Sequence, residues 1–392
     1  MKGLFVKNFY TPIFILALIL AVIGLVNLFA VTSSFEQDWK IHFESWFSLG
    51  SAFRNIGLPD LEFSRYFANQ VLYHVLGIIV MFMVLRFNVK VLYQLAPVAY
   101  ATSLALLVLV LLIGSKAKGS LSWLDLGGVR IQPSEFAKLA LILYLSRYMA
   151  SLENREPFGL AGLVKPLLIA GVPMLLVILQ KDLGSSLFFG LIFLTLVLLQ
   201  GIRWHLIVVG LVVGLSLAVV SYNYLLMPYQ QKRIVSFMNP ELDPRGGGYH
   251  LVQSKIAAGS GQVLGRGWMK GESYKLKYLP EPHTDFIFPV LAEEWGFAGA
   301  VTTLALYSLF LLYGINVTSR ADNRFGFFLG IGMVSLFFWH LVINLGGVLG
   351  LLPLTGVPLP LLSYGGSSLL TTWIAIGVLL SLYRSRLSYG MG

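Results

Sequence analysis

Residues 161–201 read AGLVKPLLIAGVPMLLVILQKDLGSSLFFGLIFLTLVLLQG. Two apolar runs, 161–179 and 183–201, flank only three residues, Gln180, Lys181 and Asp182. A helix needs about 20 predominantly apolar residues to cross the hydrocarbon core of a bilayer. Each run meets that length, and so short a link forces the second run back beside the first. The stretch is therefore read as a membrane hairpin. The same reading extends in both directions, to runs near 12–32, 70–86, 93–114, 134–150, 204–226, 286–315, 324–346 and 366–383. Composition agrees, with 57% apolar and only 12% charged residues, where a soluble domain carries about 25% charge. A soluble enzyme, a disordered chain and a coiled coil are excluded. The expected fold class is all-α, a polytopic integral membrane protein with about ten transmembrane helices in a single domain over 1–392. The first apolar run is long and lacks a small-residue cleavage site, so it is expected to be a span and not a cleavable signal. There is no cysteine, hence no disulfide, no thiolate nucleophile and no Cys-based metal site.

Loop charge sets the expected orientation. With the N-terminus inside, the inner segments carry Lys2, Lys7, Arg86, Lys90, Arg147, Arg155, Lys165, Arg203, Arg320, Arg324, Arg384 and Arg386, against Glu153, Glu156 and Asp322. Nearly all of the formal net charge of +10 falls there. The basic excess is thus a topology signal for N-in and C-in, and calls for no nucleic-acid partner. Two outer segments stand out. The loop near 33–69 is mixed in charge and aromatic (Trp39, Trp46, Phe47, Phe53), and reads as an interfacial segment lying on the bilayer. The large outer loop 227–285, between the seventh and eighth spans, is the one long polar segment.

Ionisable groups within or beside spans are costly and mark candidate sites. Four clusters qualify, all on the outer side of this topology. Lys116, Lys118 and Trp123 precede Gln132-Pro133-Ser134-Glu135-Phe136-Ala137-Lys138. Pro133 suits a helix start, and Glu135 and Lys138 share a face at i, i+3. This reads equally as a local ion pair. Asp182 in the hairpin turn reads as a helix cap or a site residue. The large loop holds Lys232, Arg233, Arg245, Lys255, Arg266, Lys270, Lys275 and Lys277 against Glu241, Asp243, Glu272, Glu281 and Asp285, with Gly-rich stretches at 246–248 and 259–261. Basic side chains beside exposed backbone N–H groups suit a phosphate or pyrophosphate, although a solvated loop is the plainer reading. His283-Thr284-Asp285 closes that loop, and Glu293 and Glu294 follow two turns into the next span. Asp285 reads as a cap, or as a partly desolvated carboxylate able to act as a general base. Finally, Pro358-Leu359-Pro360-Leu361-Leu362-Ser363-Tyr364-Gly365-Gly366 cannot continue a helix. Such backbone at membrane depth is tolerated only where it is buried in protein or lines a cavity. No two of the six histidines have metal-ligand spacing, and there is no P-loop.

Five strings, QPSEFAKL (132–139), QKDLGS (180–185), QSKIAAGSG (253–261), HTDFIF (283–288) and PLPLLSYGGSS (358–368), together resemble the shape, elongation, division and sporulation (SEDS) family of bacterial membrane glycosyltransferases. They span almost the whole chain in the family's order. NPELDP (239–244) followed by Gly248-Tyr249 and Gly265-Arg266-Gly267-Trp268 is more similar to the elongation branch than to the division branch. Two departures are visible. Ser122 stands before Trp123 where the family usually has Arg, and Lys181 stands before Asp182 where it usually has Pro.

The resemblance implies polymerisation of peptidoglycan for cell-wall elongation, in the bacterial cytoplasmic (inner) membrane with the active site facing outward. The donor would be a glycan on undecaprenyl pyrophosphate, and the acceptor lipid II. An α-linked donor giving a β-1,4 product is inverted in one displacement, which needs a base and no enzyme nucleophile. The family's catalytic carboxylate falls on Asp285. Its charged positions in the fourth span fall on Glu135 and Lys138, the aspartate of the second motif on Asp182, and the first-loop lysine on Lys118. Trp123 and Ser363 join the substrate-binding set through their motifs, and Lys118, Lys138, Lys232 and Arg233 are candidate cations for the pyrophosphate. A divalent cation, Mg2+ or Mn2+, is compatible with such a leaving group, with no ligands assigned. The partner implied is a class B penicillin-binding protein, the transpeptidase that cross-links the glycan. Two other readings stay open. A lipid II flippase would need polar groups along a path across the bilayer, whereas the inner halves of these spans are apolar. A non-catalytic scaffold of the elongation complex would tolerate loss of Asp285.

Overall fold

The computed structural model describes residues 12–33, 64–117, 120–125, 127, 130–152, 156–220, 223–224, 228–243 and 246–389. Lys118 and nearly all of the expected interfacial loop 33–69 lie outside these residues. The described chain is overwhelmingly helical. Ten helices coincide with the ten expected spans: α1 (Pro12–Ser33), α2 (Arg65–Arg86), α3 (Val89–Ile113), α4 (Pro133–Ser151), α5 (Leu160–Leu179), α6 (Leu183–Gln200), α7 (Trp204–Val220), α10 (Ile287–Ser319), α11 (Arg324–Val348) and α12 (Gly366–Tyr389). Between α7 and α10 lie α8 (Pro228–Met238), a 3-10 turn (Pro240–Leu242) and α9 (Gly247–Ser260). Eight of the described helices are long and apolar enough to cross a membrane. The other two are α4, which carries Glu135, Lys138 and Arg147, and α7, whose apolar stretch is the shorter Trp204–Gly214. The protein is a multi-pass membrane protein.

One element was not foreseen. A small antiparallel sheet of β1 (Ser115–Ala117), β2 (Ser120–Asp125) and β3 (Arg130–Ile131) joins α3 to α4. It is tied to the hairpin turn between α5 and α6 by the Leu121 amide, which donates to the Gln180 carbonyl at 2.9 Å.

Helices in lipid gain little from burying apolar surface against one another, so close backbone approach and interhelical hydrogen bonds decide their packing. Both devices are present. A Cβ on Gly77 would fall 2.2 Å from Trp373, and one on Gly332 would fall 2.4 Å from Ile142. The Trp373 indole donates to His74 Nδ1 at 3.2 Å, joining α12 to α2. The Tyr100 hydroxyl donates to the Ile169 carbonyl at 2.7 Å, joining α3 to α5. Asn27 Nδ2 donates to the Ile287 carbonyl at 3.0 Å, joining α1 to the head of α10.

The eighth span is expected as one helix but is broken at Gly296, whose φ of 69° and ψ of −169° are accessible essentially to glycine alone. The break lets the loop after α9 press against the short first segment of α10. A Cβ on Gly296 would lie 2.2 Å from the Gly265 amide nitrogen. Gly296→Ala is expected to cost at least about 2 kcal/mol from backbone strain alone, and the clash adds to it. A thermal melt in detergent checks this, with an unchanged Tm speaking against the break as a structural requirement.

Candidate active site

The segment 349–365, between α11 and α12, is non-helical; Leu349, Leu351, Leu352 and Gly356 are exposed, and residues 359–363 are buried inside the bundle. A Cβ on Gly24 of α1 would fall 2.5 Å from the Leu361 carbonyl oxygen, and one on Gly184 of α6 would fall 2.8 Å from that of Thr355. The Tyr307 hydroxyl of α10 donates to the Pro360 carbonyl. Leu361 itself is held at φ 67°, a conformation that side-chain-bearing residues rarely adopt.

This segment grips the residues that precede α10. Three consecutive carbonyls are each engaged. That of His283 accepts from the Tyr364 amide at 2.9 Å. That of Thr284 accepts from the Ser363 hydroxyl at 2.7 Å. That of Asp285 accepts from Asn344 Nδ2 at 3.1 Å, and the same amide donates to the Val357 carbonyl at 2.7 Å. Asp285 is half-buried at the head of α10. Its Oδ2 lies 3.4 Å from where a Cβ on Gly356 would stand, so the glycine leaves the carboxylate room. Tyr66, Tyr73 and His283 pack around Tyr364, with ring centroids 5.2, 6.3 and 5.9 Å from it.

Ser363 was expected among substrate-binding positions. The structure buries it at 2% exposure and uses its hydroxyl internally, donating to Thr284 and accepting from the Leu359 amide at 2.8 Å. Its carbonyl accepts from Gln70 Nε2 at 2.9 Å. Its place is in the frame of the site.

Glu135 and Lys138 do form an ion pair, 2.8 Å from Oε1 to Nζ, with both side chains buried. Lys138 Nζ also lies 3.2 Å from His340 Nε2 and 4.5 Å from the Phe188 ring centroid. The ammonium, expected to face substrate, is thus turned into the protein. Glu135 and His340 line a cavity of about 10 Å³ together with Pro358 and Pro360. It has room for about one water.

Asp182 caps α6, as its local sequence allows. It accepts from the Ser185 amide at 3.0 Å and the Ser185 hydroxyl at 2.8 Å. It also accepts from Gln132 Nε2 at 3.2 Å, which joins the second motif to the first. The Gln132 amide in turn donates to the Ser367 hydroxyl at 3.0 Å. Trp123 sits half-buried on β2, opposite Ser115. Lys232 and Arg233 lie on α8. The third string, QSKIAAGSG, forms most of α9, where the Ser254 hydroxyl donates to the Val348 carbonyl at 2.7 Å. Burial pulls His250 on the same helix below its ordinary value. Among the described residues no group of three or more His, Asp or Glu could hold a metal ion.

Glu293 and Glu294 hold the loop that follows α9. Glu293 accepts from the Glu272 amide at 2.8 Å, the Ser273 amide at 3.3 Å and the Ser273 hydroxyl. Glu294 accepts from the Tyr274 hydroxyl at 2.6 Å. The Arg266 and Gly267 amides donate to the carbonyls of Glu293 and Glu294, both at 3.0 Å. Sequence reasoning missed Gln70, His340 and Asn344. The signal was available, since all three are polar side chains inside apolar helices, and the last two are spaced i, i+4.

These features define a polytopic α-helical membrane protein in which an irregular segment, partly buried among the helices, frames an aspartate at a helix head. The chain matches the model of the FtsW/RodA/SpoVE family, described as cell cycle proteins, over residues 47–387, and it belongs to that family. Peptidoglycan glycosyltransferase MrdB of Escherichia coli K12 is 40% identical over 313 residues, covering 79% of this chain and 84% of that protein. Peptidoglycan glycosyltransferase RodA of Treponema pallidum is 33% identical over 390 residues, covering 81% and 90%. A chain of a peptidoglycan synthase complex, described as coordinating polymerization and crosslinking, superposes with a TM-score of 0.75 at 28% identity, covering 95% of this chain and 97% of that one. The crystal structure of Thermus thermophilus rod shape determining protein RodA gives a TM-score of 0.66 at 27% identity, covering 95% and 96%.

Because Glu293 gathers three donors from residues 272–273, Glu293→Ala is expected to release the loop 262–281. Trypsin should then cleave after Arg266 and Lys270 at least about tenfold faster, since local opening governs such cleavage. Glu272→Ala, which removes a half-exposed partner of Arg266, should change the rate little.

Proposed function

We propose that the protein is a peptidoglycan glycosyltransferase that polymerises lipid II into glycan strands, with Asp285 as the general base. The reading rests on one observation above the others, the engagement of the three successive carbonyls of His283, Thr284 and Asp285 by Tyr364, Ser363 and Asn344. A general base works only when held within hydrogen-bond reach of its proton. Clamping the backbone on both sides of the carboxylate, while leaving glycine beside the carboxylate itself, is what such positioning requires.

In the proposed reaction the 4-hydroxyl of the acceptor GlcNAc attacks C1 of the donor MurNAc. The C1–O bond to the pyrophosphate breaks as the new C1–O bond forms. The hydroxyl proton passes to the Asp285 carboxylate, and undecaprenyl pyrophosphate leaves with the bonding pair. Configuration at C1 inverts. Lys118, Lys232 and Arg233 are the cations proposed for the leaving group, where fixed positive charge is worth most. Lys138 supports the site from inside. The proposed topology is ten crossings with both termini in the cytoplasm, which puts Asp285 at the outer boundary of the inner membrane and leaves both lipid tails in the bilayer. The proposed partner is a class B penicillin-binding protein. The presence of a relative's fold in a synthase complex supports that choice.

Asp285→Asn is nearly isosteric, so it should express and melt like wild type while losing polymerisation by at least about a hundredfold, the low end for a general base. The assay is glycan formation from purified lipid II, with and without the cognate transpeptidase. Polymer at wild-type rate from the variant would end the general-base assignment. No polymer from either protein, with partner and divalent cation supplied, would favour the flippase or scaffold. Lys138→Ala should also slow the reaction, because it strands Glu135 as an unpaired buried charge.

A further inference from the structure

His340 and Asn344 stand one turn apart on one face of α11. Both reach toward the segment that frames Asp285. Asn344 holds the carbonyls of Asp285 and Val357. His340 faces Lys138 and, with Glu135, lines the small cavity that Pro358 and Pro360 also line. The imidazole tautomer follows from its neighbours. Nδ1 lies 2.8 Å from the Leu336 carbonyl, which can only accept, so Nδ1 carries the proton and Nε2 presents a lone pair to Lys138. The buried ammonium thus has an acceptor in each of three directions: the Glu135 carboxylate, the His340 imidazole and the face of Phe188. Without the imidazole, one of its donors would be left without a partner in an interior where that is expensive.

We propose that His340 and Asn344 form a positioning ladder on α11. His340 fixes the Lys138–Glu135 pair, Asn344 fixes the Asp285 backbone, and one rigid helix keeps the two in register. The inference builds on the reading of Asp285 as the base. Neither residue touches substrate in this scheme, and both act through the groups they hold.

Amide side chains separate the two nitrogens of the imidazole. The terminal oxygen of Gln reaches about as far as Nε2 and can still accept from Lys138. Asn reaches only as far as Nδ1 and cannot. Full-length wild type, His340→Gln, His340→Asn and Asn344→Ala are compared in detergent, by initial rates against lipid II concentration and by hydrogen exchange at 283–286 and 357–365. His340→Gln should keep kcat within about threefold. His340→Asn should lower kcat at least about tenfold with KM for lipid II within about twofold, as expected for a misplaced catalytic group. The Leu359 and Tyr364 amides should exchange about tenfold faster in His340→Asn and in Asn344→Ala, and at the wild-type rate in His340→Gln. Equal exchange in the Gln and Asn variants overturns the ladder, as does a rise in KM alone. Unchanged exchange in Asn344→Ala overturns it whatever the His340 variants do. If wild type itself makes no polymer, the assignment of Asp285 fails, and the exchange comparison still decides whether the two residues are coupled.

Discussion

Ser363 engages its amide, its carbonyl and both functions of its hydroxyl within the protein. The amide donates to the Leu359 carbonyl, the carbonyl accepts from Gln70, and the hydroxyl accepts from Leu359 and donates to Thr284. The constraint behind this is the cost of an unpaired backbone group in a medium without water. A stretch containing Pro358 and Pro360 cannot satisfy itself as a helix. Its groups must be met by partners from α2, α10 and the loop before α10. Meeting them brings those elements to fixed positions, and the carbonyls around Asp285 are among the partners recruited. The irregular segment is thus made tolerable by the same hydrogen bonds that hold the aspartate.

The buried charge pair on α4 obeys a related constraint. Burying a carboxylate and an ammonium costs several kcal/mol per ion before their attraction and hydrogen bonds are counted. Glu135 and Lys138 therefore add little to stability, and a well-packed apolar pair would serve packing as well. What they add is definition. An ammonium with three directional partners has one arrangement, and the side chains of α4, α6 and α11 that supply them are fixed with it. Conversely, a lysine so committed cannot also swing to an incoming pyrophosphate without uncovering Glu135. In the proposed reaction, the charges that meet the leaving group come from the outer loops.

Much of the fold was legible because spans are read from continuous apolar length, a property of local sequence. The helix starts at Pro133 and Asp182 were equally local, being set by a proline at the first turn or a side chain capping the amide three residues on. The sheet at 115–131 was not, because strands of two to six residues leave no periodicity to detect. The break at Gly296 was hidden for another reason. Nothing in the apolar run marks it, and it becomes necessary only when residues 262–267 press against the helix. The site divides in the same way. Asp285 and the Glu135–Lys138 spacing were visible as charges near spans. The link from Lys138 to His340 crosses 202 residues, and that from Gln70 to Ser363 crosses 293. Sequence proximity cannot suggest such pairs.

The outer loop shows how acids inside an apolar helix serve an element outside it. Glu293 and Glu294 sit on the short segment of α10 before its break, and both accept from residues 272–274. Their own carbonyls accept from Arg266 and Gly267. The loop is therefore bonded to the helix segment that follows Asp285. The Trp268 indole extends the contact to α1, stacking on Phe29 at 6.0 Å and donating to the Val26 carbonyl at 3.3 Å. A loop so anchored is held at a defined place relative to the carboxylate. Under the proposed reaction that fixed geometry is useful, since groups already in position need not reorganise as the pyrophosphate departs.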